Sequence, residues 1–140
     1  MQLPGSDPDK TGSGLVMDIK ERPGYLHVTV IGRNSVANVM KYLSDIHDPC
    51  MRRNCPVVLI EENLQGPGLG IGSIHNIISQ ASKNTQPVVT RIAYVDTNKE
   101  HKPGRMEFAE TVAFNRGVNV RVFSDVDEAR RWLESTTTRT

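Results

Sequence analysis

Four consecutive apolar residues, Val57 to Ile60, follow Pro56 and precede two glutamates. A run this short and this apolar is typical of a strand that is covered on both of its faces. Such strands belong mainly to parallel sheets, in which the connection between neighbouring strands is usually a helix that packs on the sheet. The run therefore predicts the central strand of an α/β domain.

An antiparallel hairpin is predicted before this strand. Apolar and polar residues alternate from Leu15 to Lys20 and again from Leu26 to Val30, which is the period of a half-buried strand. The segment from Arg22 to Gly24 reads as the turn between them, because proline presets its φ and glycine accepts a positive φ.

Four helices are predicted from apolar residues at helical spacing and from capping residues. The first is capped by Asn34 and Ser35 and stops near Asp48, because Pro49 disfavours helical geometry in the residue before it. The other three are predicted after the loop that follows the central strand (Ile71 to Ala81), from Pro103 to a capping Gly117, and after Asp125 and Glu128, which have the spacing of a capping box.

The fourth and fifth strands are predicted at Val89 to Val95 and at Val118 to Phe123, the last as a half-exposed edge strand. The predicted order of elements is therefore β-β-α-β-α-β-α-β-α. This order indicates one α/β domain with a mixed five-stranded sheet and four helices. It covers residues 15–135, with polar tails at 1–14 and 136–140.

The composition suits one water-soluble domain and argues against several functions. The chain has 140 residues, a net charge of +1 and 5% aromatic residues, whereas nucleic-acid binding favours clustered basic residues and aromatic stacking. No apolar run approaches the length of a membrane span, and the polar N-terminus lacks the pattern of a signal peptide. We therefore expect a cytoplasmic protein with reduced thiols and no transmembrane segment.

Two stretches resemble the STAS fold of anti-anti-sigma factors, and more specifically its SpoIIAA-like branch of small bacterial proteins. One is the central strand with its loop, Val57 to Gly72, and the other runs from Val120 to Leu133. The resemblance covers about residues 15–135 and implies a mixed sheet with helices packed on it. The SpoIIAA-like branch has also been compared with the lipid-carrying CRAL-TRIO domains.

Anti-anti-sigma factors carry a phosphorylated serine at the start of the helix after this strand, in a run similar to D-S-S-G-L-G. Here Gly68-Leu69-Gly70 fits that run, but Gly66 and Pro67 occupy the positions of the serines. Neither residue can accept phosphate. The resemblance therefore implies a domain of this fold without the phosphoserine switch.

The segment from Gly66 to Gly72, called the glycine loop below, is the most unusual local feature. A glycine-rich loop before a helix can present backbone N–H groups to a ligand, although this one matches neither a Walker loop nor a dinucleotide fingerprint. The alternative is that its glycines only let the helix pack close to the sheet. The candidate ligand or partner surface is Glu62, Gly66, Gly68, Leu69, Gly70, Ser73 and Asp96.

Polar residues are also predicted at the ends of the last three strands, where ligands of parallel sheets commonly bind. Three polar sets are predicted to end these strands: Glu61, Glu62 and Asn63 the third, Asp96, Thr97 and Asn98 the fourth, and Ser124 and Asp125 the fifth. Carboxylates there can act as acid and base or hold a cation, but polar residues at strand ends also cap helices and form turns.

The spacing of the histidines and cysteines does not indicate a metal site. His47, Cys50 and Cys55 lack the paired spacing and the fourth ligand of a structural zinc site, so no metal is predicted. His101 falls in a polar, basic loop and is expected to be an ordinary surface residue.

The sequence therefore favours a non-enzymatic domain that acts by binding a protein through the glycine loop. A carrier of an apolar small molecule or lipid is the alternative, and an enzyme using strand-end carboxylates is a third. No catalytic residue and no cofactor is predicted, no nucleic acid is expected as a partner, and a homodimer is possible.

Overall fold

The computed structural model describes residues 14–81, 89–99, 101 and 119–138. In chain order, the elements in these ranges are β1 (Val16–Arg22), β2 (Tyr25–Arg33), α1 (Val36–Arg52), β3 (Val57–Gln65), α2 (Ile71–Ala81), β4 (Arg91–Asp96), β5 (Asn119–Phe123) and α3 (Val126–Thr138). The helix predicted between Pro103 and Gly117 lies outside the described residues, as does the predicted N-terminal tail up to residue 13. The described ranges therefore hold five strands and three helices, with α3 reaching Thr138 rather than ending near Ser135.

The five strands form one mixed sheet in the order β1-β2-β3-β4-β5. β1 and β2 are antiparallel, and every later pair of neighbours is parallel. The hairpin turns at Gly24, whose φ of 87° a residue with a side chain rarely adopts. The prediction of an α/β fold with a mixed five-stranded sheet and an N-terminal hairpin is confirmed.

One face of the sheet is covered by α1 and α2. Val28 and Val30 of β2 and Val58 and Ile60 of β3 lie on this face, and all four are at most 1% exposed. They pack with buried residues of both helices, among them Val39, Tyr42, Ile46 and Cys50 of α1 and Ile77 of α2. The apolar run of the central strand thus supplies every second side chain to this core.

The opposite face is covered by α3. Leu59 of β3 and Ala93 of β4 are fully buried there against Ala129 and Leu133 of the helix. Asp125 ends the preceding turn, and its carboxylate accepts a hydrogen bond from the backbone N–H of Asp127 at 3.2 Å. This confirms Asp125 as a cap and confirms that β3 is buried on both faces.

Helix α1 does not stop at Asp48, so that prediction is wrong. It continues through Pro49 to Arg52 and begins at the predicted cap Ser35, whose hydroxyl accepts from the backbone N–H of Asn38 at 3.1 Å. Proline removes one helical hydrogen bond. Because the last turn buries Pro49 and Cys50 in the core, packing offsets that loss.

Strand β3 is longer than its apolar run. Its parallel pairing with β2 continues as far as Arg33 and Gln65, so Glu61, Glu62 and Asn63 lie inside the strand and do not end it. The prediction of a strand end at these residues is wrong, because the backbone ladder extends beyond the apolar side chains. Asp96 ends β4 as predicted.

Candidate functional site

Two acidic side chains lie next to each other where β4 ends and β3 nears its carboxyl end. Glu62 and Asp96 are register partners in the parallel pair, and side chains of such partners point to the same face of the sheet. That face is the one covered by α1 and α2. The loops that follow these two strands therefore surround the candidate site.

Glu62 is a buried carboxyl group, with 4% of its surface exposed. Tyr42 of α1 donates a hydrogen bond to Oε2, and Tyr94 of β4 donates one to Oε1. Burial raises the pKa of Glu62 above its ordinary value, although the two tyrosine hydrogen bonds act in the opposite direction. Each carboxyl oxygen thus has a donor, which is what a buried carboxylate requires.

The two tyrosines remain donors over a wide range of pH. Burial and then the neighbouring Glu62 carboxylate raise the pKa of both Tyr42 and Tyr94 well above the ordinary value. The expectation that Glu62 belongs to an open surface is therefore wrong. Glu62 instead anchors a polar cluster between α1 and the sheet.

Asp96 lies at the rim of this cluster and is paired with His101. The distance from His101 Nδ1 to Asp96 Oδ2 is 2.6 Å, and His101 Nε2 lies 2.8 Å from the carbonyl oxygen of Gly66. Only 8% of the His101 side chain is exposed. The expectation that His101 is an ordinary surface residue is wrong, because it connects the end of β4 to the start of the glycine loop.

The glycine loop is also held by two asparagines. Asn34, between β2 and α1, binds the carbonyl oxygens of Gln65 and Pro67 through its backbone and side-chain N–H groups, at 2.7 and 2.9 Å. The side-chain amide of Asn98 donates to the carbonyl of Leu64 at 2.7 Å. The chain entering the loop is thus fixed from both neighbouring connections.

The outer side of the glycine loop is open. Gly66, Pro67, Gly70 and Gly72 are exposed, and a Cβ built at Gly66, Gly70 or Gly72 would meet no described atom within 4 Å. Within the described loop only Gly66 has a positive φ, of 108°. Close packing therefore does not explain the glycines at 70 and 72.

The other residues of the candidate surface differ in exposure. Gly68, Leu69 and Ser73 are half-buried, and Leu69 packs against the core beneath α1 and α2. Ser73 lies in the first turn of α2. Of the predicted surface residues, Gly66 and Gly70 are therefore the exposed ones, whereas Asp96 is half-buried and Glu62 is buried.

Glu61 belongs to a separate pair on the opposite face of the sheet. Its Oε1 lies 3.0 Å from His27 Nε2, and both side chains are partly exposed. This pair bridges β2 and β3 and has no contact with Glu62 through its side chains, because alternate residues of a strand face opposite ways.

The two cysteines lie at the end of α1 and just beyond it. Cys50 is fully buried, and burial raises the pKa of its thiol to about 11, whereas Cys55 is half-buried. Among the described residues, no group of three or more His, Cys, Asp or Glu side chains is arranged to hold a metal ion.

We expect the two thiols to react at very different rates in the folded protein. Near pH 8, an aromatic disulfide reagent should modify the half-buried Cys55 at least roughly 100-fold faster than Cys50, because burial both blocks access to Cys50 and raises the pKa of its thiol to about 11. Peptide mapping of the labelled protein over time measures both rates. Equal rates in denaturant are the control, and equal rates in the folded protein would contradict the burial of Cys50.

Sequence reasoning missed three residues of this site: Tyr42, Tyr94 and His101. Tyr42 lies three residues after Val39 and four before Ile46, so its helical position already placed it on the buried face. Tyr94 lies within the predicted fourth strand, where its neighbours Ile92, Ala93 and Val95 are apolar. The sequence feature that indicates such partners is Glu62 itself. A carboxyl group that follows an apolar run is buried with that run and then needs hydrogen-bond donors.

Comparison with known proteins identifies the fold and nothing finer. No family model matches the chain, and no curated protein matches it.

Among the described residues, no helix has both the length and the apolar character to cross a bilayer.

Among the solved structures that are similar to the chain is the crystal structure of an uncharacterized protein of the DUF3478 family from Shewanella loihica PV-4, which has a SpoIIAA-like fold. The TM-score is 0.52 at 14% sequence identity, over 86% of this chain and 94% of that one. The predicted resemblance is confirmed at the level of the fold: this chain has a SpoIIAA-like fold.

Proposed function

We propose that this protein is a binding module that docks a partner protein through the glycine loop and the first turn of α2, without a phosphoserine switch. The observation that carries the proposal is the pair Gly70 and Gly72. Neither has a positive φ, and neither has a described neighbour that a Cβ would strike. Their absent side chains leave backbone open to a partner.

Gly72 argues most directly for a role in docking. It lies in the first turn of α2, and glycine is a poorer helix former than alanine, by up to about 1 kcal/mol in a helix interior. Folding alone does not require this residue, because the space around it is open. Proteins keep such unfavourable residues most often where function uses them.

The loop is also held in one conformation before a partner arrives. His101 and Asn34 hold the backbone carbonyls of Gly66 and Pro67. A segment that is already ordered loses less conformational entropy on binding. This arrangement supports docking to a preformed surface.

The same contacts support binding rather than catalysis. Both oxygens of Glu62 are occupied by tyrosine hydroxyls, and both ring nitrogens of His101 have polar partners in the protein: Asp96 at Nδ1, and Gly66 and Asn98 at Nε2. An acid or base that acts on a substrate needs a free position toward it. We therefore propose that the chain is not an enzyme, and no observation among the described residues favours the lipid-carrier alternative.

Replacing Gly72 with glutamine separates folding from docking. We expect Gly72→Gln to raise the free energy of unfolding by about 0.5 kcal/mol, because glutamine is the better helix former, while its side chain covers the exposed backbone. Urea denaturation measures the stability. The matched control is Ser44→Gln, which adds the same side chain on the exposed side of α1.

Docking itself is tested by a photo-crosslinking amino acid introduced at Gly70 in cells of the native host. We expect a discrete crosslinked partner from Gly70 and none from the same group at Ser44. Adding Gly72→Gln should abolish the product, and adding Ser44→Gln should not. No specific product at Gly70, or one that Gly72→Gln leaves unchanged, would refute the proposal.

A further inference from the structure

His101 has an acceptor near each ring nitrogen, and both hydrogen bonds form together only when it carries two protons. The carbonyl oxygen of Gly66 can only accept, so at 2.8 Å Nε2 makes this hydrogen bond as a donor. The side-chain amide nitrogen of Asn98 also lies near Nε2, but at the longer distance of 3.4 Å, and in that contact Nε2 would be the acceptor. The Asp96 carboxylate accepts from Nδ1 at 2.6 Å, and its other oxygen already accepts from the backbone N–H of Asn98 at 2.9 Å. An imidazole with N–H groups on both nitrogens is the charged form.

We propose that His101 is a proton-operated latch on the glycine loop: as the imidazolium it ties Gly66 to Asp96, and it releases the loop when it loses one proton. This proposal rests on the proposed function in that it regulates the same docking element. When one proton leaves, Asp96 keeps the remaining one on Nδ1, because a carboxylate is the stronger acceptor. Nε2 then presents a lone pair to the Gly66 carbonyl, and the tie to the loop is lost.

The surroundings of His101 favour the latched state. Among the described residues, the charged groups that act on it are Asp96 at the end of β4 and Glu62 in β3, and both are acidic. Burial alone lowers the pKa of His101, but the hydrogen bonds to Asp96 and Gly66, together with the two acidic charges, raise it above the ordinary value. The latch is therefore closed at low pH and opens as pH rises through that raised pKa.

Hydrogen exchange of the backbone amides from Gly66 to Gly72 tests the latch on the isolated protein. Between about pH 5.5 and about pH 9, protection corrected for intrinsic rates should fall by about tenfold, the effect of losing one charge-assisted hydrogen bond. The amides of Leu59 and Ile60, in the buried centre of β3, should stay protected throughout. This difference separates release of the loop from unfolding of the domain.

Three variants test whether His101 and Asp96 cause the pH dependence of the exchange. His101→Gln should remove the step, since glutamine does not titrate, and Asp96→Asn should move its midpoint to lower pH. His47→Gln, on α1, should leave it unchanged. A flat wild-type profile, a step that persists in His101→Gln, or an unchanged midpoint in Asp96→Asn would overturn the proposal; should His101→Gln not fold, the midpoint shift in Asp96→Asn decides.

A second measurement separates this proposal from the proposed function. Where crosslinking at Gly70 has identified a partner, its yield should be higher below the midpoint than above it in the wild type and independent of pH in His101→Gln. Failure of crosslinking at every pH refutes docking while the exchange data still decide the latch. Crosslinking that succeeds with the same yield on both sides of the midpoint refutes regulation by the latch.

Discussion

Replacing both Tyr42 and Tyr94 with phenylalanine should lower the free energy of unfolding by about 3 to 5 kcal/mol at neutral pH. The double variant removes the two hydroxyls that donate to Glu62 and leaves its carboxylate buried without those partners. The loss should be smaller near pH 5. Burial already raises the pKa of Glu62, and without its donors that pKa rises further, so the folded variant loses stability as pH increases through it.

The control adds Glu62→Leu to the double variant. This triple variant removes the stranded carboxylate together with its donors, and apolar replacement of all partners in a buried polar group is often nearly neutral. We expect it to recover most of the lost stability and to lose the additional dependence on pH that the stranded Glu62 carboxylate gives the double variant between about pH 5 and pH 7. Urea denaturation at both pH values measures all three proteins. A double variant as stable as the wild type would show that the cluster is not needed for folding.

The second large effect is expected at Gly32, near the end of β2. A Cβ at this position would lie 2.7 Å from the carbonyl oxygen of Gly14 and 3.0 Å from Cα of Leu15, and the φ of Gly32 is 157°. Both neighbours are backbone atoms, so neither can move aside without shifting Leu15, which is buried in the core. We expect Gly32→Ala to lower the free energy of unfolding by about 2 kcal/mol.

Gly70→Ala is the matched control for this prediction, because a Cβ there meets no described atom within 4 Å. Its free energy of unfolding should stay within about 0.5 kcal/mol of the wild type. Thermal and urea denaturation of the two variants side by side measure the difference. Equal stability of Gly32→Ala and Gly70→Ala would show that the approach of Gly14 to β2 is looser than the structure has it.

The fold was largely predictable because its signals are local. The apolar run from Val57 to Ile60, the alternation in the hairpin and the caps at Ser35 and Asp125 each determine an element from a few neighbouring residues. Pro49 was misread because a local preference was outweighed by burial of Cys50, which depends on residues distant in sequence. The end of β3 was misread for the same reason, since its pairing with β2 continues past the apolar residues.

The site was predicted in position but not in chemistry. Strand ends and glycines pointed to the edge of the sheet where Asp96 and the glycine loop meet. The sequence could not show that Tyr42, from a helix far upstream, and Tyr94, from the next strand, converge on Glu62. It also could not show that His101 returns to Gly66. These three contacts join residues that are 20 positions apart for Tyr42 and Glu62, 32 for Tyr94 and Glu62, and 35 for His101 and Gly66.

The burial of both faces of β3 has a consequence for synthesis of the protein on the ribosome. Tyr25, near the start of the domain, shares a buried cluster with Leu59 and with Leu133 of α3. Until α3 has left the exit tunnel, Tyr25 and Leu59 lack the side chains of α3 as packing partners and are more exposed to solvent. Stable folding of the whole sheet must therefore wait until translation of α3 is finished, and the nascent chain is most exposed to chaperones and to aggregation during that interval.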